Sequence, residues 1–370
     1  MTLYVGLMSG TSMDGIDAAL LEIDADGMRL LSAIRRDWPP TLQRRLRRLA
    51  EDYQFIGLIE LGQLDTSVAE QFALAAEQLL RANELPPRAV RAVGSHGQTV
   101  LHQPQGDAPF TLQIGDPNVI AERLGVDVVA DFRRRDVAAG GEGAPLMPAF
   151  HAAAFGVPGE RSAVVNIGGI ANVTQFAADG GITGFDTGPG NCLLDSWSRR
   201  HLNHAYDANG AWAATGIVQA ELLARLLSEP YFSRPAPKST GRETFSDAWL
   251  DQALTGLSLA PADVQATLSE LTGLTIADSL RAAPGTDPKR VLICGGGAFN
   301  ADLMGRLTRL LPRSQVDTTA AAGIAPEHVE AAGFAWLAHR YVSGLSGNLP
   351  AVTGARHPVP LGALYRGALL

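Results

Sequence analysis

Apolar residues in the first forty positions fall into short runs separated by small and polar residues. LYVGLM (3–8) and IDAALLEID (16–24) read as strands joined by SGTSMDG (9–15). MRLLSAIRR (28–36) follows an Asp-Gly turn, so an antiparallel meander is expected. Residues 40–85 change to helical spacing, first in LQRRLRRLA and then around FIGLIELGQLDTSVAEQFALAAEQLLRA. After Pro86-Pro87 come a strand, AVRAVGSHG, a helix-like piece, NVIAERLG, and a buried-type strand, VDVVADF.

A glycine-rich passage, AAGGEGAPL (138–146), separates this pattern from a second one. SAVVNIGGIANVTQF and GITGFDTG give three short strands, and NCLLDSWSRR opens a helix. A long helical region is predicted over roughly 210–285, then a buried strand, RVLICGGG, and a late helix, EHVEAAGFAWLAHRYVSG. The tail, with VTGA and LGAL, shows turn chemistry and little periodicity. Three strands, helix, strand, helix, strand thus occur twice. Two similar α/β domains with a ligand cleft between them are the expectation. The boundaries are set at 1–145 and 146–326, with 327–370 packing back on the first domain.

A length of 370 residues suits two cores better than one. The net charge of −8 gives no reason to expect nucleic acid or an anionic membrane surface as a partner. No apolar run is long enough to span a bilayer, and the N-terminus lacks a signal-peptide pattern. Cys192 and Cys294 each sit in their own apolar context, so reduced thiols in a cytoplasmic protein are expected. The chain has only two lysines, Lys238 and Lys289, which makes the place of each more informative.

Three segments carry candidate chemistry. Ser9-Gly10-Thr11-Ser12-Met13-Asp14-Gly15-Ile16 joins two strands, and its small residues would let backbone N–H groups approach an anion. A plain hairpin loop is the competing reading, since Asp-Gly is a common hairpin signal. It is not a Walker A loop, which needs Gly-Lys-Ser/Thr opening a helix. In Gly184-Phe185-Asp186-Thr187-Gly188-Pro189-Gly190-Asn191 an aspartate ends a strand and Asn191 can cap the next helix. That delivers a possible general base, Asp186, and a helix N-terminus suited to phosphate. The alternative is a junction whose Asp186 only bonds backbone amides. Cys294-Gly295-Gly296-Gly297-Ala298-Phe299-Asn300 removes side chains where a flat group such as adenine could lie, although a helix-entry turn explains it nearly as well.

Weaker signals surround these. Gly94-Ser95-His96-Gly97-Gln98-Thr99 ends a strand with polar side chains. Among Arg133, Arg134 and Arg135, one arginine could grip a sugar carboxylate, with at least two belonging to a solvated basic run. Lys238-Ser239-Thr240-Gly241-Arg242-Glu243 reads equally as a phosphate contact or a surface turn. His96 and His102 lack convergent partners for a metal.

Taken in order, GLMSGTSMDGID, GSHGQT, DFRRRDVAAGGEGAPL, NIGGIANV, GFDTGPGN, KSTGRE, CGGGAFN and VTGA resemble the anhydro-N-acetylmuramic acid kinases, within the acetate and sugar kinase/Hsc70/actin superfamily. The resemblance covers nearly the whole chain. It implies two actin/hexokinase-like (ribonuclease H-like) α/β domains around a central cleft, ATP and Mg2+ as cofactors, and a homodimer. It implies that 1,6-anhydro-N-acetylmuramic acid from cell-wall turnover is opened by water and phosphorylated on O6. It assigns Ser9 to Ile16 to the first phosphate loop, Asp186 to the catalytic base and the 294–300 segment to adenosine. Asn166, Gly168, Gly188, Gly190, Lys238, Gly295, Gly296, Gly297 and Asn300 are its further nucleotide contacts, and Gln98, Arg135 and Glu330 its sugar contacts. Many superfamily relatives carry an acidic residue at the end of the first strand to assist Mg2+. Here that place reads Leu7-Met8, which leaves Asp14, Asp17 and Asp186 as metal-facing candidates.

Other classes remain open at this point. A nucleotide-switched binding protein is disfavoured because no peptide-binding domain or long linker follows. A glycosidase using Asp186 and Glu330 as a carboxylate pair would leave the phosphate-type loops unexplained. An ordinary hydroxyl-directed sugar kinase of the same fold is the nearest alternative.

Overall fold

The computed structural model describes residues 1–25, 27–51, 56–241, 243–281 and 287–368. The chain divides into two compact units. One comprises Met1–Ala154 with His328–Leu370, the other Phe155–Glu327.

The first unit opens with the expected meander, β1 (Thr2–Ser9), β2 (Ile16–Asp24) and β3 (Gly27–Arg36). Helices α1 (Pro40–Glu51) and α2 (Leu58–Ala82) follow, with residues 52–55 outside the described residues. Next come β4 (Val90–Gln103), β5 (Phe110–Ile114), α3 (Pro117–Leu124), β6 (Val128–Ala130), α4 (Phe132–Ala138) and α5 (Met147–Phe155). The strand expected over 126–132 is shorter, because Asp131 turns into the left-handed region at φ 61° and α4 begins at the next residue. α2 places Leu64, Val68, Phe72, Ala76 and Leu80 at intervals of four, all buried, so one stripe faces the sheet.

The second unit holds β7 (Ser162–Ile167), β8 (Ile170–Phe176), β9 (Ile182–Pro189), α6 (Cys192–Leu202), α7 (Ala220–Leu227), α8 (Asp247–Leu254), α9 (Pro261–Leu280), β10 (Arg290–Cys294), α10 (Ala301–Leu310) and β11 (Gln315–Thr318). The helical region expected over 210–285 is not one stretch. Pro230, Pro235 and Pro237 remove donors and break it into α7, α8 and α9 with irregular turns between. Residues 242 and 282–285 of it lie outside the described residues.

The chain then returns to the first unit with α11 (Val329–Val342), α12 (Pro350–Thr353) and β12 (Ala363–Tyr365). β12 adds to the sheet beside β6, order that the unpatterned tail did not announce. The divisions fall at 154/155 and 327/328, against 145/146 and 326/327 in the sequence reading. α5 sits with the first unit: the Phe150 ring lies 6.0 Å from that of Trp336 on α11.

Both sheets follow one plan. In the first, β1 pairs antiparallel with β2 and β2 with β3, while β4 and β6 continue in parallel on the other side of β1. In the second, β7, β8 and β9 repeat the antiparallel meander, and β10 and β11 extend it in parallel from β7. With the off-path β5 and the edge strand β12 set aside, the shared order within each unit is 3-2-1-4-5, the ribonuclease H-like arrangement. Such a plan brings the loop after strand 1 and the end of strand 4 to the same edge of the sheet.

Two glycines explain how α11 packs. Gly6 and Gly94 are neighbours on β1 and β4, and a Cβ at either would collide with the helix backbone, at Ala331 O and Phe334 O. The helix therefore lies against bare backbone, with Val329 and the run from Ala331 to Ala338 buried. Glu330 is carried at its first turn.

Candidate active site

In the first unit the loop from Ser9 to Ile16 is anchored at its ends and open in its middle. Ser9 is fully buried, and its Oγ accepts the Trp38 indole N–H at 3.3 Å. Met13 N–H donates to Gly10 O at 3.1 Å, closing a turn. Met13 itself sits at φ 55° with its side chain buried, a backbone state that costs a bulky residue about 1–3 kcal/mol. Gln43 Nε2 donates to its carbonyl at 2.8 Å and helps to hold it there. Thr11, Ser12 and Asp14 are left exposed between these anchors.

Gln98 stands beside Ser9 in register and is completely buried. Its Nε2 donates to Gly10 O at 3.2 Å and to Thr99 O at 3.3 Å, while its Oε1 is buried without a partner among the described residues. The residue expected to contact sugar thus braces the Ser9–Ile16 loop in this structure. Of the three consecutive arginines, Arg134 and Arg135 are exposed, and Arg133 is the one held inward. Arg133 Nε donates to His96 Nε2 at 2.8 Å and Nη1 to Gly143 O at 2.9 Å. Sequence reasoning singled out Arg135. The helical spacing was the signal it missed, since Arg133 lies four residues before buried Val137 and Arg135 lies on the open face.

Arg133 and Glu330, both in the first unit, act on each other through their charges. Burial pushes the Glu330 carboxyl up, and the Arg133 charge partly offsets this. The glycine-rich passage is held by Asp136, fully buried, which accepts from Gly143 N and Asn348 Nδ2 at 2.8 Å and from Thr353 Oγ1 at 2.9 Å. His102 Nδ1 lies 3.0 Å from Thr111 Oγ1, so each histidine of the β4 segment already has a polar neighbour.

In the second unit Asp186 does not end its strand. β9 runs on to Pro189, with a bulge opposite Ala171 and Asn172 that shifts the pairing between Asp186 and Gly188. Asp186 is half-buried on the edge strand of its sheet. Its Oδ2 accepts from Ser239 Oγ at 2.9 Å and from Thr240 N at 3.0 Å. Burial raises its carboxyl above the usual range, and these two donors pull it partly back. Ser239 and Thr240 were not singled out from sequence, although the KSTGRE segment containing them was. Arg242 of that segment lies outside the described residues. Lys238 Nζ donates to Phe232 O at 3.0 Å and Tyr231 O at 3.3 Å, both carbonyls of its own unit.

The glycine turns of the second unit are latched together. Asn191 N donates to Gly168 O at 2.8 Å and Gly190 N to Gly169 O at 2.9 Å. A Cβ on Gly190 would strike Gly168 O, and one on Gly295, at φ 75°, would strike Asn166 Oδ1. Asn166, Gly168, Gly190 and Gly295 are therefore neighbours, while Gly188 packs on Phe232. Asn191 does not cap α6 with its side chain. Its Nδ2 donates instead to Ile167 O at 3.1 Å, tying the two turns, because the residue is already helical at φ −86° and ψ −12°. Asn300 is the true cap in this region, its Oδ1 accepting from Leu303 N at 3.0 Å at the head of α10. Gly296 and Gly297 lie in the short turn before it.

The sequence profile described as anhydro-N-acetylmuramic acid kinase matches residues 2–367. The chain is 52% identical over 367 residues to an anhydro-N-acetylmuramic acid kinase of Xanthomonas oryzae pv. oryzae, covering 98% of this chain and 97% of that one. It is 47% identical over 363 residues to the Pasteurella multocida protein of the same name, covering 98% and 96%. Among solved structures it is similar to component A of the (R)-2-hydroxyglutaryl-CoA dehydratase of Acidaminococcus fermentans, at 12% identity and a TM-score of 0.49, covering 90% and 96%. The match over nearly the whole length, at about half of all positions, decides the family: the chain belongs to the anhydro-N-acetylmuramic acid kinases.

Proposed function

We propose that the chain uses ATP and water to convert 1,6-anhydro-N-acetylmuramic acid into N-acetylmuramic acid 6-phosphate and ADP, as a cytoplasmic homodimer serving cell-wall recycling. The observation that carries the proposal is the state of Asp186. Its carboxyl is raised by burial yet fixed at one oxygen, which suits a general base working near neutral pH.

In this reading Asp186 takes a proton from water as the water oxygen attacks the anomeric carbon. The bond from that carbon to O6 breaks, and O6 receives the γ-phosphoryl group as ADP leaves. Phosphoryl transfer itself needs mainly positioning and charge stabilisation. The exposed middle of the Ser9–Ile16 loop offers backbone N–H groups to the phosphates. The latched turns around Gly168, Gly190 and Gly295 offer bare backbone to the rest of the nucleotide. Arg133 and Glu330 are the charged groups offered to the sugar, and Arg135 stands exposed two residues along on the open face of α4.

Mg2+ is held mainly by phosphates and water, with one or two protein carboxylates. Asp14, exposed within the Ser9–Ile16 loop, fits that manner of binding, with Asp17 as the other carboxylate of the same unit. When bound, the ion neutralises charge on the transferred group.

ADP release measured with and without the anhydro-sugar tests the proposal. ADP formed only with the sugar, in equal amount to the 6-phosphate, is expected. Hydrolysis of ATP regardless of sugar would point to a nucleotide switch, and ring opening without ATP to a glycosidase.

A further inference from the structure

Residues 231–240 are laced onto the free edge of β9 at Asp186. The Asp186 N–H donates to Lys238 O at 3.1 Å, and the Tyr231 hydroxyl donates to Asp186 O at 2.7 Å. Lys238 closes the segment on itself, through the Tyr231 and Phe232 carbonyls and by standing 4.8 Å from the centre of the Tyr231 ring. Backbone and ring together thus fix where the next two residues point. Both point at one atom, Oδ2 of Asp186. The other oxygen, Oδ1, accepts no hydrogen bond among the described residues.

We infer that Ser239 is a positioning residue for the reaction: together with the Thr240 amide it occupies Oδ2 of Asp186 and so makes Oδ1 the atom that takes the proton from water. The inference rests on Asp186 acting as the base. A carboxylate oxygen that faces two donors holds negative charge well and is a poor place for a proton. The amide cannot reverse its role, since an N–H only donates. The incoming proton therefore goes to Oδ1, the O–H bond of water breaks, and its electrons form the bond to the anomeric carbon. The same two donors oppose the rise that burial imposes on the Asp186 carboxyl. Ser239 is itself exposed, which lets its removal be tested without opening a core.

Ser239→Ala and Ser239→Thr are compared with the wild type and with Asp186→Asn. Loss of a hydrogen bond to a charged carboxylate is expected to move the acid limb of the kcat profile up by about one pH unit, with KM for ATP unchanged within about twofold. Threonine, which keeps the hydroxyl, is expected to restore the wild-type limb. A ¹³C-carboxyl NMR titration of Asp186 in the free enzyme is expected to show the same upward move, independently of turnover. An acid limb and a titration that stay in place in Ser239→Ala would overturn the inference, as would a loss that threonine does not rescue. Normal turnover in Asp186→Asn would instead remove the base assignment on which it rests.

Discussion

Arg133 Nε donates to His96 Nε2 at 2.8 Å, and this one bond fixes the charge of the histidine. A guanidinium has no acceptor, so Nε2 must be unprotonated and the ring proton must sit on Nδ1, 2.8 Å from Gly97 O. Burial, and then the Arg133 charge, hold His96 well below its ordinary range. The neutral imidazole orients Arg133, whose charge is felt at Glu330.

A pH dependence of stability follows. A histidine held neutral in the folded protein gains a proton only on unfolding, so its contribution is complete above about pH 6.5 and is lost as pH falls below it. For one such residue the slope reaches about 1.4 kcal/mol per pH unit. His96→Gln can accept from Arg133 and donate to Gly97 without titrating. Denaturant unfolding between pH 6.5 and 5 is expected to show a slope for this variant flatter by about that amount. Parallel slopes for wild type and variant would contradict the neutral assignment. His151, buried and pushed down to about 3, adds its own contribution to both proteins equally.

Gly10 and Gly190 separate ligand approach from folding. A Cβ on Gly10 meets only Ser12 Oγ, at 3.7 Å, so the fold has room for a side chain there. Gly10→Val is expected to keep the wild-type melting temperature and to raise KM for ATP by about tenfold or more, through side-chain bulk between backbone and phosphate. Gly190→Ala is expected to lower the melting temperature, because its methyl group meets Gly168 O. An unchanged KM in Gly10→Val would move the phosphates away from this loop.

Lys238 has two competing roles, and steady-state kinetics divide them. If it holds the 231–240 segment against Asp186, Lys238→Met lowers kcat roughly 10-fold to 100-fold by misplacing the base, with KM for ATP little changed. A phosphate contact predicts the reverse, a raised KM for ATP at similar kcat. Its bonds to two carbonyls favour the first outcome.

Much of this architecture is legible in the chain because it depends on local signals. The two meanders, β1–β3 and β7–β9, alternate apolar runs with glycine turns, and α2 repeats its apolar stripe every four residues. The turns at Gly168, Gly190 and Gly295 announce themselves by composition. What stays hidden depends on distant pairing. Ser239 meets Asp186 across fifty-three positions, and Asp136 meets Thr353 across more than two hundred. Nothing local marks either. β12 is three residues long and exists only because β6 offers an edge. The choice of Arg133 over Arg135 turns on which side of a short helix faces His96, and a run of three identical residues conceals that.

The fate of the water oxygen tests the central claim most directly. A single turnover in ¹⁸O-water with ATP and 1,6-anhydro-N-acetylmuramic acid is expected to place the label at the anomeric hydroxyl and none in the new phosphate ester. Asp186→Asn keeps the shape and loses the base, and is expected to turn over roughly 10²–10⁴-fold more slowly. Label in the ester, or an Asp186→Asn enzyme with normal turnover, would contradict the account.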